Sequence, residues 1–166
     1  MQHAAPQLPS STQADPMTGN RFTIELVQQA DYRFEAHFDN LAIAPLLTDE
    51  SPPLGGDAGP SPSRTLAVAV AHCLSSSLLF AMRKFGNEPD PLRTHATTTL
   101  ARNAQNRWRV ARIAVEIHLG RTAAEFKQLE RILAQFEDFC IVTQSVRVGI
   151  PVDVQVLDSQ GTVLKS

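Results

Sequence analysis

The segment that most constrains the fold of this chain is the apolar stretch from Ser63 to Phe85. The pattern predicts a helix, and Gly86 beyond its end is typical of a helix C-cap. Because the helix is apolar on nearly all sides, it belongs in the middle of the fold. Its longest apolar run, from Leu66 to Met82, contains His72 and three serines. That run is too short to cross a bilayer comfortably, so no membrane is expected.

Short segments that alternate apolar and polar residues flank this helix and predict strands. A loop dense in proline and glycine leads into the helix, and loops of this length in compact domains are often functional. Before the helix, strands are predicted at 22–29, 32–38 and 41–47, and the loop at 49–62. After the helix, a hairpin is predicted with strands at 92–102 and 108–119.

The last third of the chain is predicted to hold two helices and two strands. Thr122 to Glu125 form a capping box that opens a helix with the apolar face Phe126, Leu129, Leu133 and Phe136. Cys140 opens a short helix over 141–147, and strands follow at 149–157 and after the turn at 159–161. The element order indicates an α+β fold, mostly antiparallel sheet with the apolar helix packed on it. A helix this apolar also points to a dimer.

Composition limits the classes of partner. The chain has 166 residues, 43% hydrophobic and 19% charged, with a formal net charge of −2, as expected for one globular domain. The charges are mixed along the chain, so nucleic acid is not an expected partner. Residues 1–20 are predicted to be a disordered tail and 21–166 the folded domain. The N-terminal segment lacks the basic and apolar regions of a secretory signal, so a cytoplasmic, reducing location is expected.

The two cysteines, Cys73 and Cys140, lie far apart in the sequence. They form neither a disulfide scaffold nor a CxxC-type zinc site, and no metal or cofactor is expected. His72 adjoins Cys73, but neighbouring helical residues point about 100° apart, so it is poorly placed as a base for that thiol. His95 and His118 lie on separate predicted strands.

Each cysteine alone is ambiguous. Cys73 lies in mid-helix, where a buried, inert cysteine is the more common case. Cys140 opens a helix, which stabilises a thiolate, although Glu137 and Asp138 act in the opposite direction. Together, two thiols suffice for a peroxidase cycle, in which one attacks the O–O bond and the other condenses with the resulting sulfenic acid. Sequence spacing does not establish that they meet.

Two segments resemble the OsmC/Ohr family of osmotically inducible and organic hydroperoxide resistance proteins. The first is the Gly/Pro loop from Gly59 to Pro62 that leads into the helix with Ala71-His72-Cys73. The second runs from Cys140 through Arg147 and Gly149, where a cysteine opens a short helix that ends in a basic residue. Arg147 either contacts Cys140 across this helix or, as we expect, interacts with the negative end of the helix dipole. The loop 49–56 is similar to that of a broader OsmC-like subgroup, and the element order agrees over about 22–166.

The resemblance implies an intertwined α+β homodimer with active sites at the subunit interface. It implies that Cys73 is the peroxidatic thiol, that Cys140 is the resolving thiol and that Arg33 activates the thiolate. The implied substrate is an organic hydroperoxide, which the apolar residues Leu74, Leu78 and Phe80 near Cys73 would suit. The implied reductant is a dithiol, such as a dihydrolipoyl group, or a small thiol. Arg33 is equally interpretable as a surface strand residue beside Glu35.

One position departs from the family pattern. Peroxidase members carry a Glu at the start of the cysteine helix that holds the arginine, and Ser63 stands there in this chain. Asp49 or Glu50 would have to substitute for it. The missing Glu favours an alternative, a non-enzymatic homodimer that binds a ligand or senses redox state. A third alternative is a structural homodimer with inert cysteines.

Overall fold

The structure, a computed structural model, describes residues 21–39 and 41–166. The tail expected over 1–20 lies outside this part of the chain. The α+β prediction is confirmed. The strands are β1 Ile24–Ala30, β2 Arg33–Phe38, β3 Leu46–Thr48, β4 Arg93–Arg102, β5 Trp108–His118, β6 Val152–Leu157 and β7 Val163–Lys165. The helices are α1 Pro62–Lys84, α2 Leu129–Gln135 and α3 Ile141–Val146, with 3-10 turns at Ala123–Glu125 and Phe136–Phe139.

The strands form two sheets. β1, β2 and β3 make an antiparallel three-stranded sheet, and β4 to β7 make a four-stranded sheet in sequence order. Within the second sheet, β5 and β6 are parallel, whereas the other pairs are antiparallel. The parallel pair arises because the chain leaves β5, crosses through α2 and α3, and returns to the same end of the sheet.

Local sequence sets both ends of α1. Pro62 occupies the first turn, where its missing N–H costs nothing, and Arg83 and Lys84 face the negative end of the helix dipole. Gly86 follows with a φ of +71°, which glycine adopts without strain.

The single chain buries only one face of α1. Val70, Leu74, Leu78 and Met82 are fully buried and belong to one core with Ile113, Ile117 and other residues of β5 and β6. On the opposite side, Val68 and Phe80 are 63% and 70% exposed. The helix expected in the middle of the fold therefore has one side at the surface of the single chain. By length and composition, α1 is also the one helix in the described part of the chain that could cross a membrane, a test that core helices of soluble domains pass as well.

The prediction of a helix opened by the capping box is wrong. The Thr122 backbone N–H and hydroxyl both donate to the Glu125 carboxylate at 2.9 Å, but only a 3-10 turn follows. Asn87 exchanges two hydrogen bonds with the backbone of Lys127, and Gln128 then adopts a left-handed φ of +55°. This reversal breaks the expected helix, so α2 begins only at Leu129. Ile132, Leu133 and Phe136 are buried, while Phe126 and Leu129 are half-buried.

The third predicted strand is shorter than expected, since β3 covers only Leu46–Thr48 rather than 41–47. The loop that follows is confirmed.

Candidate thiol site

The packing of α1 against α3 brings the two cysteines together. Cys73 is half-buried at the middle of α1, and Cys140 is fully buried immediately before α3. Both thiols are free, and their side chains are within hydrogen-bonding reach of each other. The predicted short helix opened by Cys140 is confirmed.

The start of α3 is directed at Cys73. The backbone N–H groups of Val142 and Thr143, in the first turn of α3, lie close enough to Cys73 to lower the pKa of its thiol. These N–H groups have no partner inside a helix, because they belong to its first turn. Two donors aimed at one sulfur stabilise a thiolate there.

In the single chain, however, the pKa of Cys73 lies above its usual value. Burial is the largest cause, followed by the hydrogen bond to Cys140, which stabilises the neutral thiol. The N–H groups of Val142 and Thr143 lower the pKa but do not outweigh these effects. Cys73 is therefore a thiol at neutral pH unless another group acts on it.

Cys140 has one further partner. Its thiol donates to the Thr143 hydroxyl at 3.0 Å, and both residues are fully buried. This bond holds the Cys140 sulfur at the start of α3, on the side that faces α1.

Arg33 lies in a different pocket of the single chain. That pocket has a volume of about 340 Å³ and is lined by Arg33 of β2 and by Asp49, Gly55 and Gly56 of the long loop. The Asp49 carboxylate accepts backbone N–H groups from Gly56 and Ala58 at 3.0 and 3.1 Å. These bonds, more than the charge of Arg33, hold the pKa of Asp49 below its usual value. The structure thus places Arg33 beside Asp49 and not beside Cys73 of the same chain.

Ser63 forms no charged pair. Its hydroxyl is 3.1 Å from that of Ser61, and no acidic residue lies in the first turn of α1. The nearby exposed pair, Asp57 with Arg64 at 3.4 Å, belongs to the loop.

An apolar pocket of about 280 Å³ lies between α1 and the segment 131–139, and its lining residues include Ser77, Phe80, Phe136 and Phe139 but neither cysteine. Ser77 is one helical turn from Cys73, and Phe139 precedes Cys140. Leu74 and Leu78, which the sequence indicated as apolar surroundings for a substrate, are instead fully buried in the core. Phe80 does line the pocket.

Sequence analysis missed a histidine pair and misjudged an arginine. The rings of His95 and His118 lie edge to face with centroids 5.7 Å apart, because β4 and β5 are neighbours, and His118 contacts Glu116. No group of three or more His, Cys, Asp or Glu in the described residues is arranged to hold a metal ion. Arg147, interpreted from sequence as a helix-dipole partner, binds Glu137 and the Val152 carbonyl.

Comparison with known proteins gives a family match and a fold match. The family model described as OsmC-like protein matches residues 55–155. No curated protein matches the chain at a significant level.

Several solved structures share the fold. An OsmC-like protein of unknown function from Vibrio cholerae superposes with a TM-score of 0.69 at 16% identity, covering 84% of this chain and 100% of that one. The organic hydroperoxide resistance protein OhrB of Bacillus subtilis gives 0.61 at 14% identity, covering 81% and 98%. A putative organic hydroperoxide resistance protein from Vibrio cholerae, with captopril bound in one of its active sites, gives 0.62 at 19% identity, covering 89% and 98%. At these identities the structures establish the fold alone.

Proposed function

This chain belongs to the OsmC-like protein family, and from that premise we propose that it is a thiol-dependent peroxidase that reduces organic hydroperoxides. Cys73 is the peroxidatic thiol and Cys140 the resolving thiol. The observation that carries the proposal is the apposition of these two cysteines, which come from distant parts of the sequence. Residues 21–166 form the single OsmC-like domain that holds them.

The reaction has two chemical steps and a recycling step. The Cys73 thiolate attacks an oxygen of the hydroperoxide, so that an S–O bond forms, the O–O bond breaks and the departing alkoxide takes up a proton. The Cys140 sulfur then attacks the sulfenic acid of Cys73, an S–S bond forms and water leaves. A dithiol or small thiol reduces the disulfide by exchange and returns both residues to thiols.

The raised pKa of Cys73 requires an activating cation. We assign this role to Arg33, brought to Cys73 of one protomer from the other protomer of a homodimer. Asp49, which already lies beside Arg33, takes the part of the Glu that Ser63 replaces. A guanidinium close to the sulfur favours the thiolate and so lowers the pKa of Cys73.

The apolar pocket lined by Phe80, Phe136 and Phe139 supports an organic substrate. Phe80 lies two helical turns after Cys73 in α1, and Phe139 directly precedes Cys140. Such a surface favours a hydroperoxide with an apolar substituent over hydrogen peroxide.

Two observations favour a second candidate, a non-enzymatic homodimer that binds a ligand or senses redox state. The pKa of Cys73 is raised, and Ser63 cannot hold Arg33 by charge. In such a protein the cysteines would oxidise slowly and would not go through repeated catalytic cycles.

Family membership indicates a soluble protein, and we place it in the cytoplasm, where thiols are kept reduced.

Steady-state turnover tests the proposal. Consumption of cumene hydroperoxide is followed with dihydrolipoamide as reductant for wild type, Cys73→Ser and Cys140→Ser. We expect turnover in wild type, loss of all turnover in Cys73→Ser, and a single oxidation of Cys140→Ser followed by over-oxidation. Turnover that survives in Cys73→Ser, or no turnover in wild type, rejects the proposed function. Hydrogen peroxide serves as the hydrophilic comparison and is expected to react more slowly.

A further inference from the structure

A cluster of three charged residues fixes the segment that carries Cys140. It consists of Glu137, Arg147 and Lys165, and we call it the Glu137 cluster. One carboxylate oxygen of Glu137 contacts the Arg147 guanidinium, and the other is 3.2 Å from the Lys165 ammonium. The Glu137 side chain is only 14% exposed, so the cluster is shielded from solvent far more than the exposed ion pairs of this chain.

The cluster ties the segment to the four-stranded sheet. The Arg147 guanidinium donates to the Val152 carbonyl at the start of β6, with Nε at 3.2 Å and Nη2 at 3.1 Å. Lys165 lies in β7. The cations that hold Glu137 are thus themselves anchored on two strands.

Glu137 also holds the turn that leads to Cys140 through its backbone. Its carbonyl accepts the Cys140 N–H at 3.0 Å and the Gln144 side-chain amide at 3.0 Å. Cys140 lies between Glu137 and Arg147 in the sequence, and both of these residues are fixed. The position of the Cys140 sulfur therefore depends on the cluster.

We propose that Glu137 is a positioning residue that, through Arg147 and Lys165, holds Cys140 against Cys73 and so sets how readily the two thiols form a disulfide. This rests on the disulfide step of the proposed function, but not on reaction with a peroxide. A fixed geometry removes the entropy loss that otherwise opposes ring closure, so it raises the effective concentration of one thiol at the other. Without the Glu137 carboxylate, two half-buried cations are left without their shared anion and the segment loses its anchor.

The experiment measures that effective concentration directly. The full-length protein is equilibrated with mixtures of reduced and oxidised glutathione, in which the protein dithiol and one glutathione disulfide give the protein disulfide and two glutathione thiols. The oxidised fraction is counted by mass spectrometry. We expect Glu137→Gln to lower the effective concentration about tenfold, equivalent to about 1.4 kcal/mol. Lys165→Gln, which removes one contact and is the milder change, is expected to lower it about threefold.

Asn87→Ala is the matched control. It removes two hydrogen bonds of a buried side chain at the α1–α2 connection and destabilises the fold without touching the cluster. In this variant the effective concentration of one thiol at the other is expected to equal that in wild type. The inference is overturned if Glu137→Gln and Lys165→Gln stay within about twofold of wild type, or if Asn87→Ala falls as far as they do. If the wild type forms the Cys73–Cys140 disulfide in glutathione mixtures but does not react with hydroperoxides, the proposed function is wrong and the positioning role of Glu137 still holds.

Discussion

At the scale of single residues, the protonation state of Cys73 depends on competing neighbours. Burial and the Cys140 thiol raise its pKa, and two backbone N–H groups lower it. The chemistry of the site therefore depends on which of these contacts persists.

Removing the Cys140 side chain should lower the pKa of Cys73. In Cys140→Ala the hydrogen bond that stabilises the neutral thiol is lost, whereas the N–H groups of Val142 and Thr143 remain. The pH dependence of Cys73 alkylation by iodoacetamide measures this, with the modified residue identified by mass. An alkylation midpoint in Cys140→Ala at or above the pH found for wild type would show that the Cys140 thiol does not raise the pKa of Cys73.

Arg33→Gln tests the activating cation. We expect Cys73 oxidation at neutral pH to slow about tenfold, because the pKa of the thiol rises without the guanidinium and less thiolate is present. Arg64→Gln, which removes an exposed arginine paired with Asp57, is the matched control and should react like wild type. Equal rates in all three proteins would leave Arg33 as a surface strand residue.

The residue types of the site could be predicted from sequence, but not their contacts. The segment around Cys140 indicated a thiol at the start of a short helix, and that local feature is confirmed. The meeting of Cys73 with Cys140 is set by how α1 packs against α3, and no local pattern encodes that distance. Arg147 was misjudged for the same reason, since its partner Glu137 lies ten residues away across a turn.

At the scale of elements, the connection between β5 and α2 shows why a valid local signal can fail. The Thr122–Glu125 capping box forms, yet the Asn87 bonds to Lys127 and the left-handed Gln128 end the helical path. A capping box specifies how a helix starts and not how far it continues. The length depends on Asn87, which lies just after α1 and 40 residues before Lys127 in the sequence.

Gln128→Gly should stabilise the fold. Gln128 holds a φ of +55°, which strains a residue with a Cβ and does not strain glycine. We expect the free energy of unfolding in urea to rise by about 0.5 to 1 kcal/mol. Ala134→Gly, at an exposed residue inside α2, is the control and should lower it by a similar amount. A lower free energy of unfolding in Gln128→Gly than in wild type would show that the Gln128 side chain stabilises the fold by more than its backbone strain costs.

Asp158 should make stability depend on pH. Backbone N–H groups of Thr162, Ala123 and Gln160 donate to its carboxylate and hold its pKa below the usual value. A lowered pKa means that the carboxylate stabilises the fold above its unfolded-state value and loses that effect as the pH falls through the folded-state value. Asp158→Asn should therefore unfold at lower urea than wild type at neutral pH, and the gap should close in acid. Asp138→Asn, at an exposed position, is the control and should unfold at the same urea concentration as wild type. A difference in urea midpoint between Asp158→Asn and wild type that does not change with pH would contradict a role for the Asp158 charge.

At the scale of the whole molecule, the single chain leaves apolar surface uncovered. Val68 and Phe80 of α1, Ile24 and Leu26 of β1 and Ile141 of α3 are each at least half exposed. Exposed apolar residues on a core helix such as α1 are the residues that a second copy of the chain would cover. The apolar pattern of α1 predicted a helix in the middle of the fold, and the single chain covers only one face of it. Sequence alone could not distinguish cover by the same chain from cover by another.

We expect a homodimer in solution. Light scattering after size-exclusion chromatography should give twice the chain mass of 18.2 kDa. The mass should hold on dilution, as for an obligate dimer. A mass of one chain at all concentrations would leave Arg33 unable to reach Cys73 from another protomer.

A mass-spectrometric count of free thiols shows whether Cys73 and Cys140 form a peroxide-reactive pair. Wild type and Cys73→Ser each receive one equivalent of cumene hydroperoxide and are sampled over time. The expected result is that wild type loses both thiols to a Cys73–Cys140 disulfide much faster than free cysteine reacts, and that Cys73→Ser keeps its thiol. Two intact thiols in wild type would contradict the peroxidase, and the protein would share the family's fold but not this chemistry.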